Sequence, residues 1–142
     1  TYRGEEFFDS KRFVLIFEAV GELNVPITFH PNETVPAVTK SYYEGDSISP
    51  IASMLLSGFG IGWHYETGVA YLRLVASGLL DKCPDMRLII GHWGEVIPYY
   101  FDRLEKVMDT PLKVCLDAFG ADHIPEDREK IAHLNGEKLL GL

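Results

Sequence analysis

Two histidines occupy the same position relative to two hydrophobic segments of the chain. His30 follows Ile27-Thr28-Phe29, and His92 follows the aliphatic run at 88–91. If both segments are parallel strands, both imidazoles emerge at the carboxyl edge of the sheet, where α/β proteins build their active sites. An imidazole there can bind a divalent metal ion or act as a general acid or base. One strand-end His alone is equally well interpreted as a hydrogen-bonded structural residue, but the repetition at two strands favours a functional role.

An acidic residue, Glu95, comes three residues after His92 at the predicted start of a helix. Gly91 and Gly94 flank this His and permit both unusual backbone dihedrals and the close approach of a ligand. The Glu95 carboxylate can therefore face the same cavity, where it would orient the imidazole or shuttle a proton. The spacing is equally compatible with a simpler role, in which Glu95 only complements the helix dipole.

The other reactive side chains carry weaker signals. His64 begins a predicted helix shortly after Gly60 and Gly62, but this G-x-G pair is not followed by the third glycine of a phosphate loop and no strand precedes it. His123 and His133 are predicted to be surface residues. Cys83 and Cys115 have no base beside them in the sequence, so buried, inert thiols are expected.

The hydrophobic pattern predicts an α/β protein with a parallel sheet, because nearly continuous aliphatic strands alternate with amphipathic helices. The long segment at 31–63 has no clean period and is predicted to be a loop with one helical turn near 50–57, which suggests a functional loop. The predicted helices are 6–23, 64–78, 96–108, 112–120 and 125–140, and the predicted strands are 25–30 and 87–92.

Composition limits the possible partners. The chain has 142 residues, enough for a single domain spanning 1–142, and a net charge of −8. This charge disfavours nucleic acid and anionic membrane surfaces as partners, and no apolar run reaches the length of a membrane span. Two cysteines without a C-x-x-C pair indicate reduced thiols and a cytoplasmic location. Without a starting Met or a signal peptide, the chain is expected to begin inside a longer protein.

Several motifs in combination are similar to those of the amidohydrolase superfamily, and most closely to its γ-resorcylate and 2,3-dihydroxybenzoate decarboxylases. The motifs are Trp63-His64-Tyr65-Glu66-Thr67, Ala76-Ser77-Gly78-Leu79-Leu80-Asp81, Arg87-Leu88-Ile89-Ile90-Gly91-His92-Trp93-Gly94-Glu95 and, earlier, Val25-Pro26-Ile27-Thr28-Phe29-His30-Pro31. The resemblance implies a (β/α)8 TIM barrel, of which this chain would be an incomplete part. That part would hold the fifth and sixth strands with their helices and the C-terminal helices, about the second half of the family's domain.

The resemblance also implies roles for four residues. His30 would be the strand-five metal ligand, His92 the strand-six histidine beside the metal and the substrate, and Glu95 its acidic partner. Arg103 would bind substrate at the site of a neighbouring subunit, which implies a homodimer or homotetramer. The implied activity is non-oxidative decarboxylation of a hydroxylated aromatic carboxylic acid with a divalent ion, Zn²⁺ or Mn²⁺. The alternatives are a metal-dependent hydrolase or hydratase of the same superfamily, or an inactive fragment.

Two parts of the family pattern are not found in this sequence. One is the acid-x-His or His-x-His pair that the first strand brings to the metal, and the other is the strand-eight Asp, expected where Ile124 runs directly into Pro125. Either the sequence joins segments and omits others, or the chain is a truncated product. Eight strand–helix units need about 250 residues, so this chain alone is not expected to close the barrel.

Overall fold

A computed structural model of the chain describes residues 6–108. The helices predicted at 112–120 and 125–140, and with them Cys115, His123 and His133, lie outside the described residues. The described elements, in chain order, are α1 (Val14–Glu22, entered through a 3₁₀ turn at Lys11–Phe13), β1 (Pro26–Phe29), α2 (Pro36–Val38, continued by a π-helical turn at Thr39–Tyr43), α3 (Pro50–Leu55, continued by a π-helical turn at Leu56–Gly60), α4 (Gly62–Ala76), α5 (Leu79–Lys82), β2 (Arg87–Ile90) and α6 (Ile97–Met108).

The two strands form a parallel pair, as the sequence predicts. Pro26 is opposite Arg87 and Phe29 is opposite Ile90, so the strands end at the same level. A further hydrogen bond, from the backbone N–H of Gly91 to the carbonyl of Phe29 at 3.4 Å, extends the pairing by one residue. Both carboxyl ends therefore open at one edge of the sheet, and the residues that follow them lie side by side.

One face of this sheet is covered by helices. Phe29 of β1 is buried with Phe13, Phe17 and Leu74, while Ile27 and Leu88 pack against the same core. Side chains alternate between the two faces of a strand, so Thr28 points away from this core, and it is exposed among the described residues. The strands thus present their apolar face to α1, α4 and α5.

The segment at 31–63 contains more helix than the sequence analysis predicted. Besides α3 in the expected place, it forms α2 and two π-helical turns. Pro36 and Pro50 each occupy the first turn of a helix, where the missing N–H of proline costs nothing. Ser49 caps α3 by accepting a hydrogen bond from the N–H of Ala52 at 3.2 Å. For α2 and the two π-helical turns the prediction of a loop was wrong, because such short helices leave no periodic pattern.

Helix α4 packs against the segment that follows β2. A Cβ on Gly62, its first residue, would lie 2.0 Å from the carbonyl oxygen of Ser57, so only glycine fits there. A Cβ on Gly68 would lie 3.3 Å from Cγ2 of Val96, which means that α4 packs tightly against the residues before α6. The helix ends at Ala76, and Gly78 shortly after it has a φ of 67°, the left-handed conformation typical of the residue that follows a helix terminus. Over residues 6–108, no helix combines the length and apolarity that crossing a membrane would require.

Candidate active site

Three imidazoles converge at the carboxyl edge of the sheet. The ring centroids of His30 and His92 are 5.5 Å apart, and those of His64 and His92 are 5.2 Å apart. The parallel register accounts for the first pair, because His30 and Gly91 are the next residues after the paired strands. The packing of α4 against residues 96 and 97 accounts for the second pair, because His64 lies one helical turn before Gly68. The two strand-end positions of His30 and His92 predict this proximity from the sequence.

Glu95 joins two of these imidazoles through one carboxylate. Its Oε2 lies 2.6 Å from Nδ1 of His64, and its Oε1 lies 3.0 Å from Nδ1 of His92. The Glu95 side chain is 0% exposed, whereas those of His64 and His92 are 26% and 42% exposed. An ionised carboxylate only accepts hydrogen bonds, so both Nδ1 atoms donate. In the neutral imidazoles, Nε2 of each ring is then the atom with a free lone pair.

His30 has a different orienting contact. Its Nδ1 lies 2.9 Å from the carbonyl oxygen of Pro31. A carbonyl accepts and cannot donate, so Nδ1 carries the proton and Nε2 of the neutral ring carries the lone pair. This is the protonation state in which a histidine can bind a metal ion through Nε2 while its other nitrogen is held by a backbone group.

The turn that carries His92 and Glu95 is left-handed. φ is 45° at His92, 62° at Trp93, 79° at Gly94 and 57° at Glu95. The N–H groups of Gly94 and Glu95 both donate to the carbonyl of Gly91, at 2.9 and 3.2 Å. Consecutive left-handed residues make about one helical turn, so side chains three apart lie on the same side. This explains how Glu95 reaches the His92 imidazole.

Such a turn is strained, because a non-glycine residue in the left-handed region costs about 1–2 kcal/mol. The sequence predicted unusual dihedrals from Gly91 and Gly94, but three of the four left-handed residues in the turn are not glycine. Strain of this kind persists only where the surrounding structure fixes it, and it is concentrated at functional sites.

The residues of the site fit a divalent metal ion. Each of His64, His92 and Glu95 offers one ligand atom, and these atoms lie within 4.8 Å of one another. Imidazole nitrogen and carboxylate oxygen are ligands for both Zn²⁺ and Mn²⁺. His30 adjoins this group through His92, and its free Nε2 adds a fourth possible ligand. An ion bound between the imidazoles and Glu95 would compete with the two hydrogen bonds, whereas an ion on His30 would leave both intact.

Arg103 does not join the site among the described residues. It is exposed on α6, and no described contact links it to the three imidazoles. An apolar groove of about 360 Å³ also opens beside His30, with Phe8, Phe13, Phe17 and Phe29 among its lining residues. Most of its lining is apolar and belongs to the core around β1, so we assign the groove to core packing and not to the imidazole cluster.

His64 is the site residue that sequence reasoning missed. Its contact with Glu95 spans 31 residues, so no local spacing could predict it. The glycines before His64 resemble only a weak phosphate-loop pattern. The useful signal was Gly68, one turn later, whose missing side chain permits the close approach of α4 to the residues after Glu95.

Comparison with known proteins identifies the family. The family model described as Amidohydrolase matches residues 2–124. The decarboxylase orsB of Emericella nidulans is 33% identical over 96 residues, which are 68% of this chain and 28% of that protein. The γ-resorcylate decarboxylase of a Polaromonas species is 33% identical over 99 residues, 70% of this chain and 28% of that protein.

A solved structure of a similar protein shows the fold and contains a metal ion. The crystal structure of a Polaromonas dihydroxybenzoic acid decarboxylase, with bound manganese and the inhibitor 2-nitroresorcinol, is similar to 72% of this chain with a TM-score of 0.60 and 31% identity. This chain covers 28% of that structure, so it spans little more than a quarter of the length of these relatives. The parallel pair with its flanking helices is part of a (β/α)8 barrel, as the sequence predicted. The chain belongs to the amidohydrolase family.

Proposed function

We propose that the protein carrying this sequence is a metal-dependent, non-oxidative decarboxylase of a hydroxylated aromatic carboxylic acid. The observation that carries the proposal is the convergence of His30, His64 and His92 around the buried carboxylate of Glu95. The relatives that match this chain support the same reaction, because they are named decarboxylases of aromatic acids. We extend their activity to this chain on the basis of both the family and the geometry.

His30 is the residue that we propose as a metal ligand. Its Nδ1 donates to the carbonyl of Pro31, which leaves Nε2 to bind the ion. Manganese is favoured over zinc because a matching decarboxylase structure contains it. When bound, the ion would supply a Lewis acid that neutralises and orients the substrate carboxylate and its adjacent hydroxyl. The remaining ligands are expected from strands one and eight of the barrel, which the described residues do not include.

His92 and Glu95 are proposed to handle the proton. Loss of CO2 from an aromatic ring requires a proton on the ring carbon that bears the carboxylate. The carbon–carbon bond then breaks, its electron pair restores the aromatic ring, and CO2 leaves. Because Glu95 accepts from Nδ1 of His92, it can stabilise the imidazolium that forms when Nε2 takes up a proton from solvent. That proton is then available for the ring carbon. A strand-eight Asp of the complete barrel is the alternative donor.

Paired substitutions test these roles in the full-length protein. We expect His30→Ala to lower the metal content measured by inductively coupled plasma mass spectrometry. We expect His92→Ala to keep most of the metal and to lose turnover, measured as CO2 released from a hydroxybenzoate such as γ-resorcylate. His123→Ala, predicted to be a surface change, serves as the matched control. Equal metal loss in the His30 and His92 variants would contradict the assigned roles.

The same assay separates decarboxylation from the alternative reactions. Ring opening, or hydrolysis of a lactone or amide without CO2 release, would indicate a hydrolase or hydratase of the family. A folded protein that fails to bind Mn²⁺ or Zn²⁺ after dialysis and reconstitution would instead support the inactive form.

We also propose that Arg103 acts across a subunit interface. Its guanidinium is exposed on α6, as it would be if it served a neighbouring subunit of a homodimer or homotetramer. Mixing inactive Arg103→Ala and His92→Ala subunits should restore part of the turnover, because some sites then receive both residues. If no activity returns although mixed oligomers form, Arg103 acts within its own subunit or has no role.

A further inference from the structure

The role of His64 is not part of the mechanism proposed above. It forms the shorter of the two hydrogen bonds to Glu95, 2.6 Å against 3.0 Å for His92. We propose that His64 is a positioning residue, which holds the Glu95 carboxylate in the rotamer that fixes the tautomer of His92. This inference rests on the proposed function only for its kinetic consequence, since the tautomer can be measured directly.

The need for a positioning residue follows from the geometry of Glu95. The last torsion of a glutamate side chain is broad and nearly two-fold, so rotamer preference alone does not orient the carboxylate. Glu95 has its two oxygens on two different imidazoles. Removing the contact to Oε2 would leave the carboxylate free to rotate about that torsion. Its contact to Nδ1 of His92 would then weaken as well.

His64 is well placed to hold Glu95 because its own backbone is fixed on both sides. Two residues earlier, Gly62 packs so closely on the carbonyl of Ser57 that a Cβ would lie 2.0 Å from its oxygen. One turn later, Gly68 packs against Val96 and Ile97, the two residues that follow Glu95. Helix α4 and the segment after the left-handed turn therefore cannot move apart without losing the packing of Gly68 against the side chains of Val96 and Ile97. The imidazole of His64 is held on the same rigid frame.

The consequence for His92 concerns which nitrogen carries the proton. While Glu95 accepts from Nδ1 of His92, the neutral ring keeps its proton there and leaves Nε2 as the base. A rotated carboxylate no longer imposes this choice, and the Nε2–H tautomer, the more common one in free histidine, becomes populated. In that tautomer Nδ1 has no proton to donate to Glu95, so the carboxylate no longer stabilises the imidazolium that must form before a proton reaches the ring carbon. His64 thus controls the state of a ring that it contacts mainly through Glu95.

A competing explanation is that His64 binds the metal ion, because its ligand atom lies within 4.8 Å of those of His92 and Glu95. The two explanations differ in what can replace the imidazole. The amide nitrogen of Asn overlays Nδ1 of His and can donate to Glu95, but it is a poor metal ligand. The amide nitrogen of Gln overlays Nε2 and is too distant to restore the contact. His64→Asn and His64→Gln therefore form a matched pair, with His64→Ala as the full deletion.

The first measurement is the tautomer of His92 in the full-length, Zn²⁺-loaded protein, chosen because Zn²⁺ is diamagnetic. With ¹⁵N-labelled histidine, the ring nitrogen shifts of His92 should indicate the Nδ1–H form in the parent protein and in His64→Asn. A mixture of tautomers is expected in His64→Ala and His64→Gln. An unchanged His92 tautomer in His64→Ala would overturn the proposal. This readout does not depend on which reaction the protein catalyses.

The second experiment measures both turnover and metal content in the same three variants. Loss of a group that orients a site residue typically costs 10–100-fold in activity, so His64→Ala and His64→Gln should lose about that factor in kcat while KM stays within about 3-fold. His64→Asn should recover most of kcat, and all three should retain the metal. Metal loss that Asn does not restore would assign His64 as a ligand and refute the positioning role. Equal kcat in all three variants would also refute it. A parent protein that shows the Nδ1–H tautomer but releases no CO2 would refute the proposed function alone.

Discussion

Trp93 combines a left-handed backbone with a side chain that is 96% exposed. Its φ of 62° lies in the region where an L residue costs about 1–2 kcal/mol, because Cβ crowds the following carbonyl oxygen. Glycine has no Cβ and avoids this cost, but it loses about 0.5–1 kcal/mol more backbone entropy on folding. The difference predicts that Trp93→Gly is more stable than Trp93→Ala by about 0.5–1 kcal/mol. Comparing Gly with Ala removes the indole from both variants, so any contact that the indole makes cancels.

Ala19 provides the control. It is exposed in the middle of α1, where the backbone is right-handed. Ala19→Gly should therefore destabilise the protein by about 1 kcal/mol, the usual cost of glycine inside a helix. The Gly-minus-Ala effect thus has opposite signs at positions 93 and 19. The sign, more than the size, identifies the left-handed turn.

Urea unfolding of the full-length protein, followed by far-UV circular dichroism at fixed metal concentration, measures both differences. Equal slopes of the transitions would show that the variants unfold from comparable states. If Trp93→Ala were more stable than Trp93→Gly by the amount seen at position 19, Trp93 would have an ordinary backbone. The explanation of the contact between His92 and Glu95 would then fail with it.

Three further predictions concern the frame of the site. Gly62→Ala should prevent correct folding, seen as loss of soluble protein, because its Cβ would lie 2.0 Å from the oxygen of Ser57. Leu74→Ala should lower the free energy of unfolding by about 2–5 kcal/mol, since Leu74 is 0% exposed, while the exposed Leu15→Ala should change it by less than about 0.5 kcal/mol. Burial raises the pKa of the Cys83 thiol, with a smaller contribution from Glu18. The resulting stability is present below the pKa of an unfolded thiol and lost as the pH rises through the folded one, so between pH 8 and 10 the urea midpoint should fall less in Cys83→Ala than in the parent protein.

The sequence was sufficient to predict the elements in which hydrophobic residues follow one clear pattern along the chain. Phe29 in the run before His30 is buried, Leu88 in the run before His92 packs against the same core, and continuous aliphatic character predicts such strands directly. Because these two strands are parallel neighbours, the proximity of His30 and His92 followed from chain order alone. Gly78 likewise marked the end of α4, since only glycine adopts its φ of 67° without cost.

The features that were not predicted depend on contacts between residues distant in sequence, or on backbone conformations that the residue types disfavour. Trp93 and Glu95 have a left-handed backbone although their side chains disfavour it. Backbone propensity therefore predicts the wrong conformation at both positions. The contact of His64 with Glu95 depends on how closely α4 approaches α6, which a sequence indicates only through Gly68. The helix that begins at Pro36 was missed even though proline at a first turn is a usable signal.

Three separate constraints therefore act on the cluster around Glu95, and each arises at a different level of structure. The left-handed turn brings Glu95 to His92, the strand register brings His92 to His30, and the packing of α4 brings His64 to Glu95. A carboxylate buried without partners is costly, and removing one partner of a buried pair typically costs several kcal/mol. Both imidazoles thus stabilise the buried Glu95 carboxylate, and the carboxylate in turn orients both imidazoles. The strain of the turn is tolerated because relaxing the turn would move the Glu95 carboxylate away from both His64 and His92. The stability of the turn is therefore linked to the hydrogen bonds that the proposed mechanism uses.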